Sequence, residues 1–465
     1  MERAERGSWL GLVALAIAAF IAAALTATAY WPGLMSWDPV RQYGEALSGD
    51  ITDWHPPMMQ WVWRGLLRLH AGPAPMMLLE LVLYWGGLTL FAATMWRRNR
   101  PRLAWWLLAC GLFPLGLVLT GTILKDSLMA GALVAATSIL VARGRRRRAA
   151  TTTVAVLFLF FAAALRFNAF TACLPLLVAL LPQAWRRTWP RLGASCLVAT
   201  AALMLSMPVV NWLIGATRSG VQLSLVIFDL GGITKYSGIN VFPPELKVAD
   251  AVRVNHGCYT PVKWDSYSDW VDPECPLGFS AWNDLPVSPH PYASWLRAVL
   301  AHPFAYARHR LVHFAINTRL VPVADTVERP VPAASAPNVW GFHVTDNPGL
   351  RLLDTLAVTM AHTPLGWPIV WIALALGAVI VGRGGPNASL IVPLALSSLL
   401  YGTGYLAFSV AAELRYHLWT GLAALLATVL VAGDGRAIPV RRLCFAYAPT
   451  VLVVLAGAGI RLFAR

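Results

Sequence analysis

WLGLVALAIAAFIAAALTATAYWPGLMSWDPVRQY, residues 9–43, decides the fold. From Trp9 to Trp31 it carries no charge and no two-residue alternation, and its length is that of a helix crossing hydrocarbon. It is too long for a signal-peptide core and has no small-residue cleavage site ahead of the polar loop, so it is expected to remain as an anchor. Seven residues beyond Trp31 stands Asp38, in Ser36-Trp37-Asp38-Pro39, a favourable helix start with a proline in the first turn. An acid at the end of an apolar span, heading a polar loop, is the first sign of a site at a membrane face.

The rest of the chain repeats the apolar pattern. Its 465 residues are 57% hydrophobic and 13% charged, about half the charge of a soluble domain, with a mean hydropathy of +0.59. Spans are expected near residues 9–31, 75–96, 103–121, 125–142, 150–166, 169–184, 192–214, 364–382, 387–409, 416–433 and 443–462. That makes an all-α polytopic membrane protein of about eleven transmembrane helices. The Ala-, Arg- and Trp-rich composition suits the cytoplasmic membrane of a GC-rich bacterium.

The net charge of +15 does not point to nucleic acid, because the arginines lie in short clusters between apolar runs. Arg97-Arg98-Asn99-Arg100, Arg143 with Arg145 to Arg148, and Arg186-Arg187 with Arg191 follow the second, fourth and sixth spans. Those ends are therefore cytoplasmic, and Arg436, Arg441 and Arg442 agree. The phase sends the insert 32–74, Lys125-Asp126, Arg166 to Asn168, region 215–360 and Glu413-Leu-Arg-Tyr-His417 to the extracytoplasmic face. Three parts result: a membrane module 1–214, an outer domain 215–360, and C-terminal membrane helices 361–465.

Region 215–360 alone has a soluble composition. Cys258 and Cys275 lie in it, and outside the cytoplasm they can oxidise to a bridge closing a short loop, although two free thiols remain an alternative. ASWLRAVLAHPFAYARHRLVHFAINTRL, residues 293–320, has apolar residues at helical spacing and reads as one interfacial helix. DLGGITKYSG, residues 229–238, lacks phosphate-loop spacing and reads as a turn. In the first insert, DWHPPMMQW invites a second short helix, with Asp53 as its cap and the prolines fixing its entry.

Capping alone could account for Asp38 and Asp53. It does not account for Lys125 and Asp126, which sit between two spans separated by almost nothing, or for Glu413. Ionisable groups at that depth are costly and usually functional. Arginine and lysine can snorkel to headgroups, but anionic headgroups repel carboxylates. Carboxylates beside Lys125, Arg166 and Arg415 suit a lipid-borne phosphate gripped by cations, with a general base next to it. Asn168, Tyr416 and Glu413 are further candidates for substrate contact.

Three stretches carry a resemblance to a known family. SWDPVRQY puts an aspartate after the first span, DWHPPMMQW puts an HPP triplet later in the same loop, and GTILKDSL puts a second acid at the outer end of the third and fourth spans. This resembles the GT-C superfamily of polytopic glycosyltransferases that use polyprenyl-phosphate-linked sugars, in the branch of the protein O-mannosyltransferases and lipid A aminoarabinose transferases (glycosyltransferase family 39-like). The resemblance covers residues 1–214 best. It implies a module of seven spans with two interfacial helices in the first outer loop. It further implies Asp38 as the base that deprotonates the acceptor hydroxyl, Asp126 as an orienting acid, and His55 in the triplet. Lys125, Arg166 and Arg415 are expected at the donor phosphate from charge and sidedness. The chain departs from the pattern in having Pro39, not a second acid, after Asp38, and LRFNAF and AELRYHLW match no motif of the characterised branches.

The function expected is inverting transfer of a sugar from a polyprenyl-phosphate donor to a hydroxyl of a glycan, lipid or protein acceptor, at the outer face. Some members of the superfamily hold a divalent ion such as Mg or Mn and others none. A polysaccharide polymerase or ligase using a diphosphate-linked glycan is one alternative, and a lipid-linked glycan flippase or transporter another. The transporter is disfavoured because the charges gather at one face and no halves repeat.

Overall fold

A computed structural model describes residues 2–142, 148–284, 290–322, 329–435 and 437–463. The arginines at 143–147 and Arg436, used above to set sidedness, lie outside the described residues. Among the described residues the regular structure is helical, and β-structure is confined to three isolated bridges.

The first ten helices are α1 (Glu2–Ala29), α2 (Trp37–Ser48), α3 (Met58–Leu66), α4 (Ala74–Arg97), α5 (Pro101–Ala109), α6 (Pro114–Gly121), α7 (Lys125–Ala142), α8 (Arg148–Ala163), α9 (Phe170–Leu180) and α10 (Trp189–Ile214). There follow α11 (Leu223–Ser237), α12 (Ala251–Cys258), α13 (Phe279–Asp284), α14 (Pro291–Ala301) and α15 (Pro303–Asn317). The last five are α16 (Pro348–Ala361), α17 (Pro368–Gly382), α18 (Ala388–Phe408), α19 (Leu418–Ala432) and α20 (Val440–Phe463).

Every apolar segment expected to span is helical, but they are not equal. Among the described residues, seven helical segments are long and apolar enough to cross a membrane, or eight if α5 and α6, bent by 56° around Pro114, form one broken span. The helices α8, α9 and α17 are apolar but shorter, so the figure of eleven crossings is not fixed by length. The long helices also expose apolar side chains outward: Phe20 is 73% exposed, Leu197 74% and Leu452 64%. A helix apolar all round has lipid as its solvent, and the chain is a multi-pass helical membrane protein.

The chain divides into two compact units, the first formed by Met1–Thr217, Val327–Gly402 and Arg415–Leu455. Its centre is the pair α4 and α7, which approach through glycine: a Cβ on Gly87 would stand 2.7 Å from Val134 Cγ1 and 3.0 Å from the Ala135 amide. Small residues at such crossings let helix backbones pack directly in lipid. The expected boundary of an outer domain at 360 moves, because 327–361 belongs to this first unit. There Asn347 caps α16, accepting from the Leu350 amide at 2.9 Å, and donates to the Ala29 carbonyl at 2.9 Å. Ser335 and Ala336 likewise bind the two sides of the Met35 peptide.

The second unit is formed by Arg218–Thr326, Thr403–Leu414 and Ala456–Arg465. Two sequence readings are corrected in it. Residues 229–237 are not a turn but the middle and end of α11, and only Gly238 leaves the helix, in a left-handed cap. Gly231 and Gly232 are tolerated in the helix because Tyr267 and His309 pack where side chains would stand. Residues 293–320 are not one helix but α14 and α15, broken at His302 (φ −130°, ψ 56°). Pro303 has no amide to donate and pushes the residue before it out of helical space.

α11 and α15 meet around a buried ion cluster. Asp229 faces Arg310 and His309 and accepts from Trp295 Nε1 at 2.8 Å. Burial raises the Asp229 carboxyl, but Arg310 and His309 outweigh it and hold it below the usual range. Burial, with the neighbouring charges of Arg310 and His309 acting in the same direction, pushes His313 down to about 3. Cys258 and Cys275 are joined in a disulfide with Cα atoms 5.9 Å apart. A bridge from Lys263 to Ala411, with Trp264 donating to Val410 and Ala412 to Val262, ties the segment just before Glu413 into this unit.

Candidate active site

The site is built on the loop that follows α1. The Leu34 carbonyl accepts from the Ile123 amide at 2.9 Å, which fastens the start of the loop beside the entrance to α7. The chain then turns into α2, placing Asp38 in its first turn. Asp38 does not cap the helix, and the Ser36 side chain makes no cap hydrogen bond. Nor does Asp53 cap α3, whose start is set by Pro57, while the Asp53 amide donates to Thr217.

Glu45 holds the insert together. It accepts from Thr52 Oγ1 at 2.8 Å, Gln60 Nε2 at 3.1 Å and Arg41 Nε at 3.2 Å, joining α2, the loop ahead of the HPP triplet and α3. Gln60 also reaches the His55 carbonyl, and Tyr43 packs edge-on against Trp63, Trp340 and Phe342. On the opposite wall an acid inside apolar α4, Glu80, accepts the Leu124 amide at 3.2 Å and so positions the next residue, Lys125. Sequence reading passed over Glu80, because its partner is a backbone amide 44 residues away.

Asp38 is where these pieces converge. Its Oδ2 receives Arg415 Nη2 at 2.9 Å and Lys125 Nζ at 3.4 Å, and His55 Nε2 lies 3.9 Å from Oδ1. Lys125 Nζ also stands 3.1 Å from His55 Nδ1. An ammonium has no lone pair, so Nδ1 is the acceptor and the imidazole proton sits on Nε2, turned toward Asp38. The buried His55 agrees: burial first, then the charge of Lys125, hold its pKa well below the ordinary histidine value, so the ring is neutral.

Burial by itself would raise the Asp38 carboxyl. Arg415 first, then Lys125, reverse this and keep it well below the usual carboxylate range. The carboxylate is thus firmly ionised and still 29% exposed at its side chain.

A second pair stands beside the first. Arg166, in the turn between α8 and α9, contacts the buried Asp126 through Oδ1, while Asp126 Oδ2 has no hydrogen-bond partner among the described residues. Tyr416 connects the pairs: its ring lies under the Arg166 guanidinium at 4.1 Å and beside that of Arg415 at 5.5 Å. Lys125, Arg166 and Arg415 against Asp38 and Asp126 leave one excess positive charge, with His55 neutral.

Of the residues predicted for the site, Asp38, His55, Lys125, Asp126, Arg166, Arg415 and Tyr416 are brought together, from stretches up to 378 residues apart. Asn168 is buried, and its carbonyl takes the Thr171 hydroxyl at 2.7 Å. Glu413 belongs to the second unit, whereas Arg415 opens the last segment of the first. The donor set does not fit a divalent ion. Asp38 and Asp126 each face cations, and among the described residues no three His, Cys, Asp or Glu side chains converge.

No family model matches the chain, and no curated protein matches it. Among solved structures it is similar to the crystal structure of ArnT from Cupriavidus metallidurans bound to undecaprenyl phosphate. The identity is 13% and the TM-score 0.35, over 96% of this chain and 88% of that one.

Proposed function

We propose that the protein is a GT-C-type membrane glycosyltransferase that moves a sugar from a polyprenyl-phosphate donor to an acceptor hydroxyl outside the cytoplasm. The observation that carries this reading is the Asp38 carboxylate held by Arg415 and Lys125, beside a Tyr416-bridged Arg166–Asp126 pair. A cluster with excess positive charge suits a phosphate, and a carboxylate within the same cluster suits a base.

In the pairing present here Asp38 is a weak base, because two cations stabilise its charged form. Donor binding changes that. The phosphate takes Arg415 and Lys125 as its counter-ions, and the freed carboxylate regains basicity. The acceptor O–H then gives its proton to Asp38 while its oxygen attacks the anomeric carbon from the face opposite the phosphate. The bond from that carbon to the phosphate oxygen breaks with its electron pair on the lipid phosphate, which Arg415 and Lys125 stabilise. The products are the inverted glycoside and polyprenyl phosphate. Asp126 Oδ2 is free to accept from an acceptor hydroxyl, and neutral His55 keeps Lys125 and Asp38 in register.

The test is transfer of radiolabelled sugar from a panel of polyprenyl-phosphate sugars into membranes carrying the wild type or Asp38→Asn. Transfer with one donor, reduced about 10²–10⁴-fold in the variant at equal expression, is the expected result for loss of a base. Normal transfer by Asp38→Asn would refute the assignment. Absence of transfer from every donor, with labelled lipid crossing liposome bilayers instead, would make the protein a transporter.

A further inference from the structure

The far end of the first unit holds a second feature, remote from Asp38. A cavity of about 310 Å³ opens there, walled by Leu140, Leu176, Leu180 and Leu390 and rimmed by Arg98 and Arg186. It meets the last turn of α7, whose first residue is Lys125, so the helix places it roughly 24 Å from the Asp38 cluster.

Its parts have opposed characters. The walls combine leucines from α7, α9 and α18 with the hydroxyls of Thr137 and Ser389. Both arginines are exposed, and neither has a carboxylate partner among the described residues. Arg98 is fixed in place, because Nη2 donates to the Val141 carbonyl at 2.8 Å at the negative end of α7. That uses one of five guanidinium donors and leaves the fork available for an anion. Arg186 follows the short turn Gln183–Trp185 and supplies the second charge. A slot with leucine and hydroxyl walls, and two arginines that lack a carboxylate partner among the described residues, at a helix end in a membrane protein, matches a ligand with a phosphate head and a hydrocarbon tail. The volume is at the lower end for ligand sites and takes a headgroup with the first methylenes, not a whole lipid.

We propose that this cavity binds the phosphate headgroup and upper acyl chain of an anionic glycerophospholipid from the leaflet opposite the Asp38 site. The arginines lie in clusters that mark the cytoplasmic side, where anionic headgroups attract basic segments. Binding there is independent of glycosyl transfer and stands even if that reading fails.

The experiment is native mass spectrometry of the delipidated full chain, titrated with phosphatidylglycerol, phosphatidylcholine or glycerol 3-phosphate. One phosphatidylglycerol per chain is expected, preferred at least tenfold over phosphatidylcholine, with glycerol 3-phosphate alone failing to compete. Arg98→Gln/Arg186→Gln removes the preference. Arg186→Gln alone, at an exposed side chain that leaves the fold intact, weakens it about threefold, and Leu390→Trp blocks the slot. Arg187→Gln, which does not line the cavity, leaves binding unchanged. Equal binding of phosphatidylcholine, an unchanged Arg186→Gln variant, or competition by glycerol 3-phosphate as strong as by the lipid would each overturn the proposal.

Discussion

Asp38 Oδ2 is shared by two cations, and that sharing makes the residue testable by pH. Its folded carboxyl lies below its unfolded value of about 3.9. Its ion pairs therefore stabilise the fold above about pH 4, and the contribution is lost as pH falls through the lower, folded value. The acid limb of kcat/KM, which reports the free enzyme, should accordingly sit low. The acid limb of kcat reports the donor complex, where Arg415 and Lys125 have turned to phosphate, and should lie at higher pH. Coincident limbs would mean that the cations stay on Asp38 and that no exchange occurs. Arg415→Ala removes the closer cation. A charge-assisted hydrogen bond contributes about 1.5–3 kcal/mol, so the KM for donor should rise by about 10- to 100-fold, and donor titration at fixed acceptor measures it. The residues of this cluster were legible in sequence because each charge stood at the end of an apolar run, where desolvation demands a reason. Glu80 was not, since an acid within a helix shows its role only when the Leu124 amide is seen to meet it.

Helices were legible where the bilayer dictated them and misread where packing did. Glycine lowers helix propensity by about 1 kcal/mol, so Gly231 and Gly232 suggested a turn, yet α11 continues through them because Tyr267 and His309 need that space. The glycine at the α4–α7 crossing works the same way. Gly87→Val would drive a branched side chain into Val134 and the Ala135 backbone. It should push α7 away from α4, disturb the Glu80–Leu124 contact that positions Lys125, and cost about 1–3 kcal/mol by overpacking. A lowered thermal midpoint in detergent, with loss of transfer at temperatures where the chain is still folded, is the expected result. A variant as stable and active as wild type would show that the crossing tolerates separation. In the second unit the Cys258–Cys275 bridge closes a loop of sequence separation 17, which corresponds to about 3 kcal/mol of stabilisation. Cys258→Ser/Cys275→Ser, or the wild type in reductant, should melt earlier by the same amount, and an unchanged midpoint in both would remove the bridge from the stability of that unit.

Across the whole molecule, the sequence rules that worked were those imposed by lipid. Hydrocarbon permits little besides helices, so apolar length located the helical segments, whereas which of the short ones cross, and the division into two units interleaved along the chain, could not be read from composition. Sidedness is the one global property that arginine distribution carries, and it decides whether the Asp38 site faces outward. Asp50 is exposed on the loop between α2 and α3, and Arg187 is exposed between α9 and α10. An odd number of crossings separates the two positions if α4, the α5–α6 pair, α7, α8 and α9 each pass once. In a background with Cys110, Cys196 and Cys444 replaced by serine, Asp50→Cys should react with a membrane-impermeant maleimide in intact cells. Arg187→Cys should react only after permeabilisation. The reverse pattern would place the Asp38 cluster in the cytoplasm, where a base would meet nucleotide sugars rather than lipid-borne donors turned to the outer leaflet. Labelling of both positions from outside would mean that one of the short helices α8 or α9, or the bent pair, does not cross.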